Sequence, residues 1–138
     1  MVNENYSYIM KKKSEYLKNR FSEVNLSFVE GLMVYYLGAN PGVNQERLAY
    51  LSGVDKYRTA KFLATMEQKG LILRQPNPNN KREKQVVLSP EGTTIYTKCC
   101  KWMEDWGKAC FEGFNNDEIN VFLSYIDRIK NNLENFTI

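Results

Sequence analysis

The sequence contains no histidine, the side chain most often used as a general base near neutral pH and as a ligand for metal ions. Its three cysteines, at positions 99, 100 and 110, do not have the Cys-x-x-Cys spacing of a structural zinc site. A glycine-rich phosphate loop and a nucleophile elbow are also missing. These absences predict that the chain is not an enzyme and that it carries neither a metal nor a cofactor.

Long apolar runs are missing as well. No segment is apolar over the length needed to cross a membrane, and the opening MVNENYSYIMKKK is too polar for a signal peptide. Three cysteines without a disulfide framework are typical of a reducing compartment. The sequence therefore predicts a cytoplasmic protein with no membrane partner, and its 138 residues are typical of one domain with a substantial core.

The positive charge is concentrated in one segment. The whole chain has a formal net charge of +3. From Asp55 to Lys84 there are eight lysines and arginines against three acidic residues, giving +5, so the rest of the chain sums to −2. A basic segment on an otherwise slightly acidic chain is typical of a protein that contacts phosphate groups.

Periodicity and capping signals predict a helix-turn-helix in the first half of the chain. A first helix spans about residues 4–22, and a capping-box pattern at Ser27 and Glu30 starts a second. Asn44 caps a short third helix, QERLAYLS, after which Gly53 turns the chain and Asp55 caps a fourth helix. That fourth helix has an apolar and a basic face, formed by Phe62, Leu63 and Met66 and by Lys56, Arg58 and Lys61 respectively.

A basic hairpin follows the fourth helix. Leu71–Arg74 forms a first strand-like run that Pro76 is expected to end, and Gln85–Leu88 forms a second. Between them lies a segment rich in proline and asparagine that carries Lys81, Arg82 and Lys84. A basic helix leading into a basic hairpin predicts a winged helix-turn-helix, a mainly α fold with a small β-hairpin wing (α+β).

Two amphipathic helices complete the chain. Ser89 and Pro90 start the fifth helix, and Asn115 with Glu118 starts the sixth. The sixth has an apolar stripe formed by Ile119, Phe122, Leu123, Ile126, Ile129 and Leu133. These helices are more apolar than so small a core can absorb, which predicts a dimer. We expect a single domain over 1–138, with a DNA-binding lobe at about 27–89 and a helical dimerisation region at about 4–22 and 90–136.

The segment NPGVNQERLAYLSGVDKYRTAKFLATMEQKGLILRQPNPNNKREKQVVLSPEG, followed by W…FEGF…DEI, resembles the MarR family of bacterial transcription regulators. The resemblance extends from about Leu26 to Asn135. It implies an obligate two-fold homodimer held by the first and last helices, a recognition helix in the major groove and a wing-tip arginine in the minor groove. It also implies regulation, since many members are repressors released by small aromatic or other amphipathic ligands, or by cysteine oxidation.

Two positions depart from the family pattern. Arg82 matches the minor-groove arginine, but Asn80 stands where the family usually has an aspartate two residues earlier. An asparagine offers only a neutral acceptor, so the Arg82 guanidinium is expected to be less rigidly oriented. Thr59 replaces the usual apolar residue on the buried face of the recognition helix, and we expect the fold to tolerate it.

The expected partner is double-stranded DNA, read as a near-palindromic operator with half-sites about one helical turn apart. On the recognition helix we expect Arg58 to read bases and Lys61 to contact phosphate, beside Tyr57 and Thr65. At the third helix, free amides are expected to bind phosphate. The full set of predicted DNA contacts is Asn44, Gln45, Lys56, Tyr57, Arg58, Lys61, Thr65, Lys81, Arg82 and Lys84.

Some alternatives stay open at the level of sequence. The same fold could be a protein-interaction module with no DNA partner. Aromatic residues that could line an effector cavity are equally suited to core packing; they are Tyr16, Tyr35, Tyr36, Trp102 and Trp106. The three cysteines are expected to be buried as small hydrophobic side chains rather than to sense redox state, and Cys99 and Cys110, about 16 Å apart on one helix, are too far apart to bridge.

Overall fold

The computed structural model describes residues 3–138, which form six helices and one two-stranded antiparallel sheet. In chain order the elements are α1 (Glu4–Ser22), α2 (Phe28–Ala39), α3 (Gln45–Ser52), α4 (Lys56–Gln68), β1 (Ile72–Asn77), β2 (Asn80–Leu88), α5 (Pro90–Cys110) and α6 (Asn116–Glu134). The predicted fold class, a mainly α winged helix-turn-helix, is confirmed. The chain divides into two compact units, the first ending at Met103 and the second spanning Glu104–Ile138.

The helices begin where the capping signals predict. The side chains of Asn44 and Asp55 accept hydrogen bonds from the backbone N–H groups three residues further on, which satisfies donors that a helix start leaves free. Ser27 and Glu30 form a reciprocal capping box at α2. Asn115 and Glu118 form the same arrangement at α6. Each of these starts is therefore determined locally, by a side chain and its own backbone.

The core of the first unit is built from α1–α5 and the hairpin. Its largest fully buried side chains are Phe21, Met33, Leu48, Leu63, Met66 and Ile72. Only the second half of α1 takes part, through Leu17 and Phe21, while the apolar side chains nearer its start remain exposed. Burying each such side chain contributes roughly 1.5–3 kcal/mol, so this cluster holds α3, α4 and the hairpin in fixed relative positions.

Gly92 of α5 lies against the backbone of Leu71, the residue before β1. A Cβ atom placed on this residue would lie 2.1 Å from the backbone carbonyl oxygen of Leu71. In the same region Ser89 Oγ donates a 2.6 Å hydrogen bond to the Gly70 carbonyl and accepts one from the Gly92 N–H. Glycine is therefore needed here because the backbone of the hairpin occupies the space of a side chain.

The hairpin is longer than predicted. Pro76 does not end the first strand: it pairs with Lys84, and β1 continues to Asn77 while β2 begins at Asn80. The expectation was wrong because both strands of a two-stranded sheet are edge strands, where proline is tolerated. A register shift between Pro76 and Asn77 accompanies this extension. The basic residues of the wing consequently lie on a strand rather than in a loop.

Thr59 is tolerated on the buried face of α4, as expected. Its side chain is fully buried, and its hydroxyl donates a 2.8 Å hydrogen bond to the Asp55 carbonyl oxygen one turn earlier. The polar atom is thus satisfied within the helix itself, which removes most of the cost of burying it.

The second unit contains the end of α5, a turn and α6. In the turn, the Phe111 ring packs edge-on against Phe114 and Phe122, with centroids 5.6 Å away in each case. No residue of α6 is buried, although its spacing is strongly amphipathic. The stripe predicted from the sequence is therefore present and, apart from the half-buried Ile119, exposed to solvent within the chain itself.

Candidate nucleic-acid interface

The turn between α3 and α4 fixes how α4 leaves the core. Gly53 adopts a left-handed backbone with a φ of 70°, and the following Val54 N–H donates to the Ala49 carbonyl at 3.2 Å. Asp55 then accepts a 2.8 Å hydrogen bond from the Arg58 N–H and starts α4. This is the helix-turn-helix geometry, and it leaves one side of α4 facing solvent.

That solvent-facing side carries the five residues predicted to contact DNA. All five are exposed in the described structure: Lys56, Tyr57, Arg58, Lys61 and Thr65. The Lys61 ammonium lies 4.6 Å from the centroid of the Tyr57 ring, one turn away. Such a cation–π contact limits the freedom of both side chains without neutralising the charge. The face therefore presents a partly ordered pair of an aromatic ring and a cation.

The wing is ordered by its asparagines. The Asn80 side-chain oxygen accepts a 3.0 Å hydrogen bond from the Arg82 backbone N–H, and Asn77 does the same for Asn79 at 2.9 Å. Asn80 therefore fixes the backbone that carries Arg82, whereas the sequence comparison considered only the orientation of its guanidinium. The Lys81 and Arg82 side chains are both exposed at this end of the strand.

A cleft of about 390 Å³ lies between α3, α4 and the wing. Four of the ten predicted contacts line it, from three different elements: Asn44, Gln45, Lys56 and Lys84. The other six predicted residues are not among its lining residues, and they extend the same lobe along α4 and the wing. The structure thus gathers the start of α3, the start of α4 and the middle of β2 around one polar depression.

The basic residues of this lobe differ in whether they have an acidic partner. Lys69 pairs with Glu30 at 2.9 Å, and Arg74 pairs with Glu67 at 3.4 Å. Within residues 3–138, no salt bridge is formed by the remaining six cations of the basic segment, which are Lys56, Arg58, Lys61, Lys81, Arg82 and Lys84. These six are also the cations that the sequence predicts to contact DNA. Their positive charge is left available to an external anion.

The sequence reasoning missed Arg47. This residue is exposed on α3, with its guanidinium 4.9 Å from the centroid of the equally exposed Tyr50 ring. The sequence could have indicated this residue, because an arginine three residues before a tyrosine on an amphipathic helix lies on the same face as that tyrosine. Arg47 adds an exposed cation on α3 to Lys56, Arg58 and Lys61 on α4.

The cysteine prediction was wrong for two of the three residues. Only Cys99 is buried; Cys100 is half-buried and Cys110 is exposed. Burial and the neighbouring Cys100 raise the pKa of the Cys99 thiol to about 12, which makes it a poor nucleophile. Helical spacing placed Cys99 and Cys110 on one apolar face of α5, but Cys110, at the end of that helix, is exposed.

Four of the five aromatic residues considered for an effector cavity pack against the core of the first unit; they are Tyr16, Tyr35, Tyr36 and Trp102. Tyr16 donates a 3.1 Å hydrogen bond to the Trp102 carbonyl, and the Tyr35 ring packs against Tyr36 and Tyr96. The cleft described above is lined by other residues. An effector site at these aromatic residues stays a prediction.

Residues 3–138 also lack two features that would indicate other functions. No group of three or more cysteine, aspartate or glutamate side chains is placed to hold a metal ion. None of the helices described has the combination of length and apolarity that crossing a bilayer requires.

Residues 26–84, from the start of α2 to the middle of β2, match the sequence profile of the MarR family. Over this segment the chain is similar to the MarR family. Among curated proteins, the chain is 25% identical over 114 residues to the HTH-type transcriptional regulator YybA of Bacillus subtilis, a match that covers 83% of this chain and 76% of YybA. The matched profile contains all ten residues predicted to contact DNA.

Solved structures of the MarR family have the same fold. A putative MarR-family regulator from Listeria monocytogenes, crystallised with a 26mer DNA, superimposes with a TM-score of 0.84 at 23% identity, covering 96% of this chain and 90% of that one. A MarR-family regulator from Silicibacter pomeroyi gives a TM-score of 0.82 at 21% identity, with coverages of 96% and 90%. At these identities the likeness concerns the fold.

Proposed function

We propose that this chain is a MarR-family, sequence-specific DNA-binding transcription repressor that binds a near-palindromic operator as a homodimer. The observation that carries the proposal is the set of six cations on α4 and the wing that form no salt bridge with any residue the structure describes. The similar Listeria monocytogenes regulator was crystallised with DNA, which supports the same kind of partner here. A repressor bound to the chromosome is expected in the cytoplasm, at the nucleoid.

In this proposal α4 enters the major groove. Its exposed side spans Lys56 to Thr65, about 14 Å at ~1.5 Å per residue, which matches a groove about 12 Å wide. Arg58 reads a guanine edge, and Lys61, held against the Tyr57 ring, contacts phosphate. Asn44 and Gln45 at the start of α3 bind a neighbouring phosphate through the cleft that they share with Lys84.

The wing reaches the adjacent minor groove. Arg82 sits on backbone fixed by the Asn80 side chain, so its position is set before DNA arrives. A narrow minor groove concentrates negative potential and attracts such an arginine. Lys81 supplies a further phosphate contact beside it.

The homodimer follows from the exposed apolar stripe of α6. Phe122, Ile126 and Ile129 are all more than 40% exposed in the single chain, and apolar side chains also remain exposed on the first half of α1. A contiguous apolar face of this kind is stable in water when a second copy covers it. Two lobes related by a two-fold axis then read two half-sites about one helical turn apart.

The test is a selection of genomic fragments by the purified protein, with Arg82→Ala and Lys108→Ala run alongside. Lys108 is exposed on α5 and outside the basic segment, so its variant removes the same charge without touching the proposed interface. We expect the wild type and Lys108→Ala to recover one near-palindromic site, and Arg82→Ala to bind it about tenfold less tightly. Equal recovery of all sequences by all three proteins would contradict the proposal and favour a protein-interaction module.

A further inference from the structure

Lys69 lies at the end of the recognition helix, and its side-chain ammonium contacts other parts of the protein. It is the C-cap residue of α4, and its ammonium lies 2.9 Å from a carboxylate oxygen of Glu30 at the start of α2. The same ammonium donates a 3.2 Å hydrogen bond to the Asn25 carbonyl oxygen. One side chain thus connects the end of α4 to two separate points around the α1–α2 turn.

Glu30 is the only charged side chain that is buried among the described residues, with 6% exposure. Both of its carboxylate oxygens are used, one accepting the Ser27 N–H at 3.0 Å and the other accepting Lys69. A buried carboxylate whose two oxygens each accept a hydrogen bond has little freedom to move, because a shift would leave a buried charge without its partner, at a high cost in free energy. The ion pair therefore defines one distance between α4 and the start of α2.

Asn25 belongs to the reversal that follows α1. It is the only residue other than glycine with a positive φ, 59°, in residues 3–138. Its N–H donates to the Ser22 carbonyl, and the next N–H, that of Leu26, donates to the Phe21 carbonyl at 3.0 Å. The carbonyl group that accepts the hydrogen bond from Lys69 therefore belongs to the turn that ends α1.

The last turn of α4 is also tied on its other side. Glu67 forms a 3.4 Å ion pair with Arg74 of β1, the strand that leads into the wing. The end of the recognition helix is consequently a junction between α1, α2 and the hairpin, while Thr59, Leu63 and Met66 pack its inner face into the core. A change at this junction alters the tilt of the helix on that core.

We infer that Lys69 is a positioning residue that sets the orientation of the recognition helix relative to α1, and through it the half-site spacing that the dimer accepts. The inference rests on the proposed function. Lys56–Gln68 spans about 20 Å at ~1.5 Å per residue, so a rotation of roughly 10° about the junction moves the far end by about 3 Å. That displacement equals about one base-pair step along the duplex, ~3.4 Å.

The test measures affinity against a series of duplexes in which the two half-sites are moved apart or together one base pair at a time. The informative protein is the double variant Glu30→Gln/Lys69→Met, which removes the pair without leaving a buried carboxylate alone. Lys69→Arg retains the pairing and serves as the rescue variant. Lys108→Met is the matched control, because its ammonium is exposed and lies outside the junction.

We expect the wild type, Lys69→Arg and Lys108→Met to prefer one spacing by about tenfold over its neighbours, since each base pair also rotates the half-site by roughly a tenth of a turn. The double variant should bind neighbouring spacings within about threefold of one another, with unchanged affinity for an isolated half-site. An unchanged spacing profile in the double variant would overturn the inference, and so would an equal loss on every duplex including the half-site. A wild type without any spacing preference would instead contradict the proposed dimeric operator.

Discussion

The two compact units of this chain bury their apolar side chains to different extents. In the first, which ends at Met103, helical stripes meet one another and leave Phe21, Met33 and Leu63 fully buried. In the second, α6 has an apolar stripe of comparable regularity and not one buried residue. The first unit completes its core from its own elements, whereas the second presents a face suited to another molecule. The buried side chains of the first unit therefore stabilise the fold, whereas the exposed stripe of α6 is suited to assembly of the dimer.

The largest effect is expected from charging the α6 stripe. Ile126→Asp/Ile129→Asp places two carboxylates on the proposed dimer face, and sedimentation should show monomers in place of dimers. Because two linked lobes gain about 10²–10⁴ in affinity over one, operator binding should fall by about a hundredfold or more. The control, Asn131→Asp, adds a charge on the opposite side of the same helix. A fully dimeric double variant would remove α6 from the interface.

A glycine in each unit sharpens the comparison in terms of stability. Gly92→Ala forces a Cβ to within 2.1 Å of the Leu71 carbonyl, and we expect it to lower the free energy of unfolding by about 2–3 kcal/mol. Gly107→Ala lies on the same helix beyond Met103, with nothing within 4 Å of the added Cβ, and should raise it by up to about 1 kcal/mol. Urea unfolding measures both. Similar losses in the two variants would show that the second unit is as tightly packed as the first.

Within the DNA-binding lobe, Arg58 and Lys61 should contribute differently to DNA binding, Arg58 to sequence preference and Lys61 to affinity for any duplex. Arg58→Ala is expected to lose about 1–3 kcal/mol at one base pair of the operator and so to relax the sequence preference there. Lys61→Ala should weaken all duplexes alike and reduce the dependence of affinity on salt by about one released counterion. Binding titrations on operators with single base changes, at several salt concentrations, distinguish the two. Equal losses on every sequence for both variants would refute this division.

The smallest effect concerns acid stability. Burial alone would raise the pKa of Glu30, but hydrogen bonds from Ser27 and Lys69 outweigh it and hold that pKa below its ordinary value of 4.5. The stability from this carboxylate is therefore present above pH 4.5 and is lost as the pH falls through the lowered pKa. Urea unfolding at pH 6 and at pH 3.5 should show a smaller acid loss in Glu30→Gln than in the wild type. The same loss in both proteins would contradict the assignment.

How much the sequence reveals depends on whether a feature is local. The starts of α2, α3, α4 and α6 follow from side chains that cap their own backbone, so the sequence predicts them correctly. Pro76 was misjudged because tolerance of proline depends on how many strands the sheet has. Cys110 was misjudged because its burial depends on where the core ends along α5, which no local pattern specifies.

The candidate interface shows the same division. Residue type and spacing indicated the cations of α4 and the wing, and the family resemblance indicated Arg82. The sequence did not reveal that Lys69 and Arg74 are taken by acidic partners while the other six cations are not. Which cations are paired depends on Glu30, almost 40 residues before Lys69 in the chain, and on Glu67, across the turn from Arg74. Such pairing depends on the three-dimensional fold and cannot be predicted from local sequence.

The most direct test of the account is hydroxyl-radical footprinting of the wild-type protein on the operator recovered by selection. We predict two protected segments related by two-fold symmetry, with centres about one helical turn apart, and flanking minor-groove protection that disappears in Arg82→Ala. A single protected segment, or protection without any boundary, would contradict a dimer that reads two half-sites through α4 and the wing.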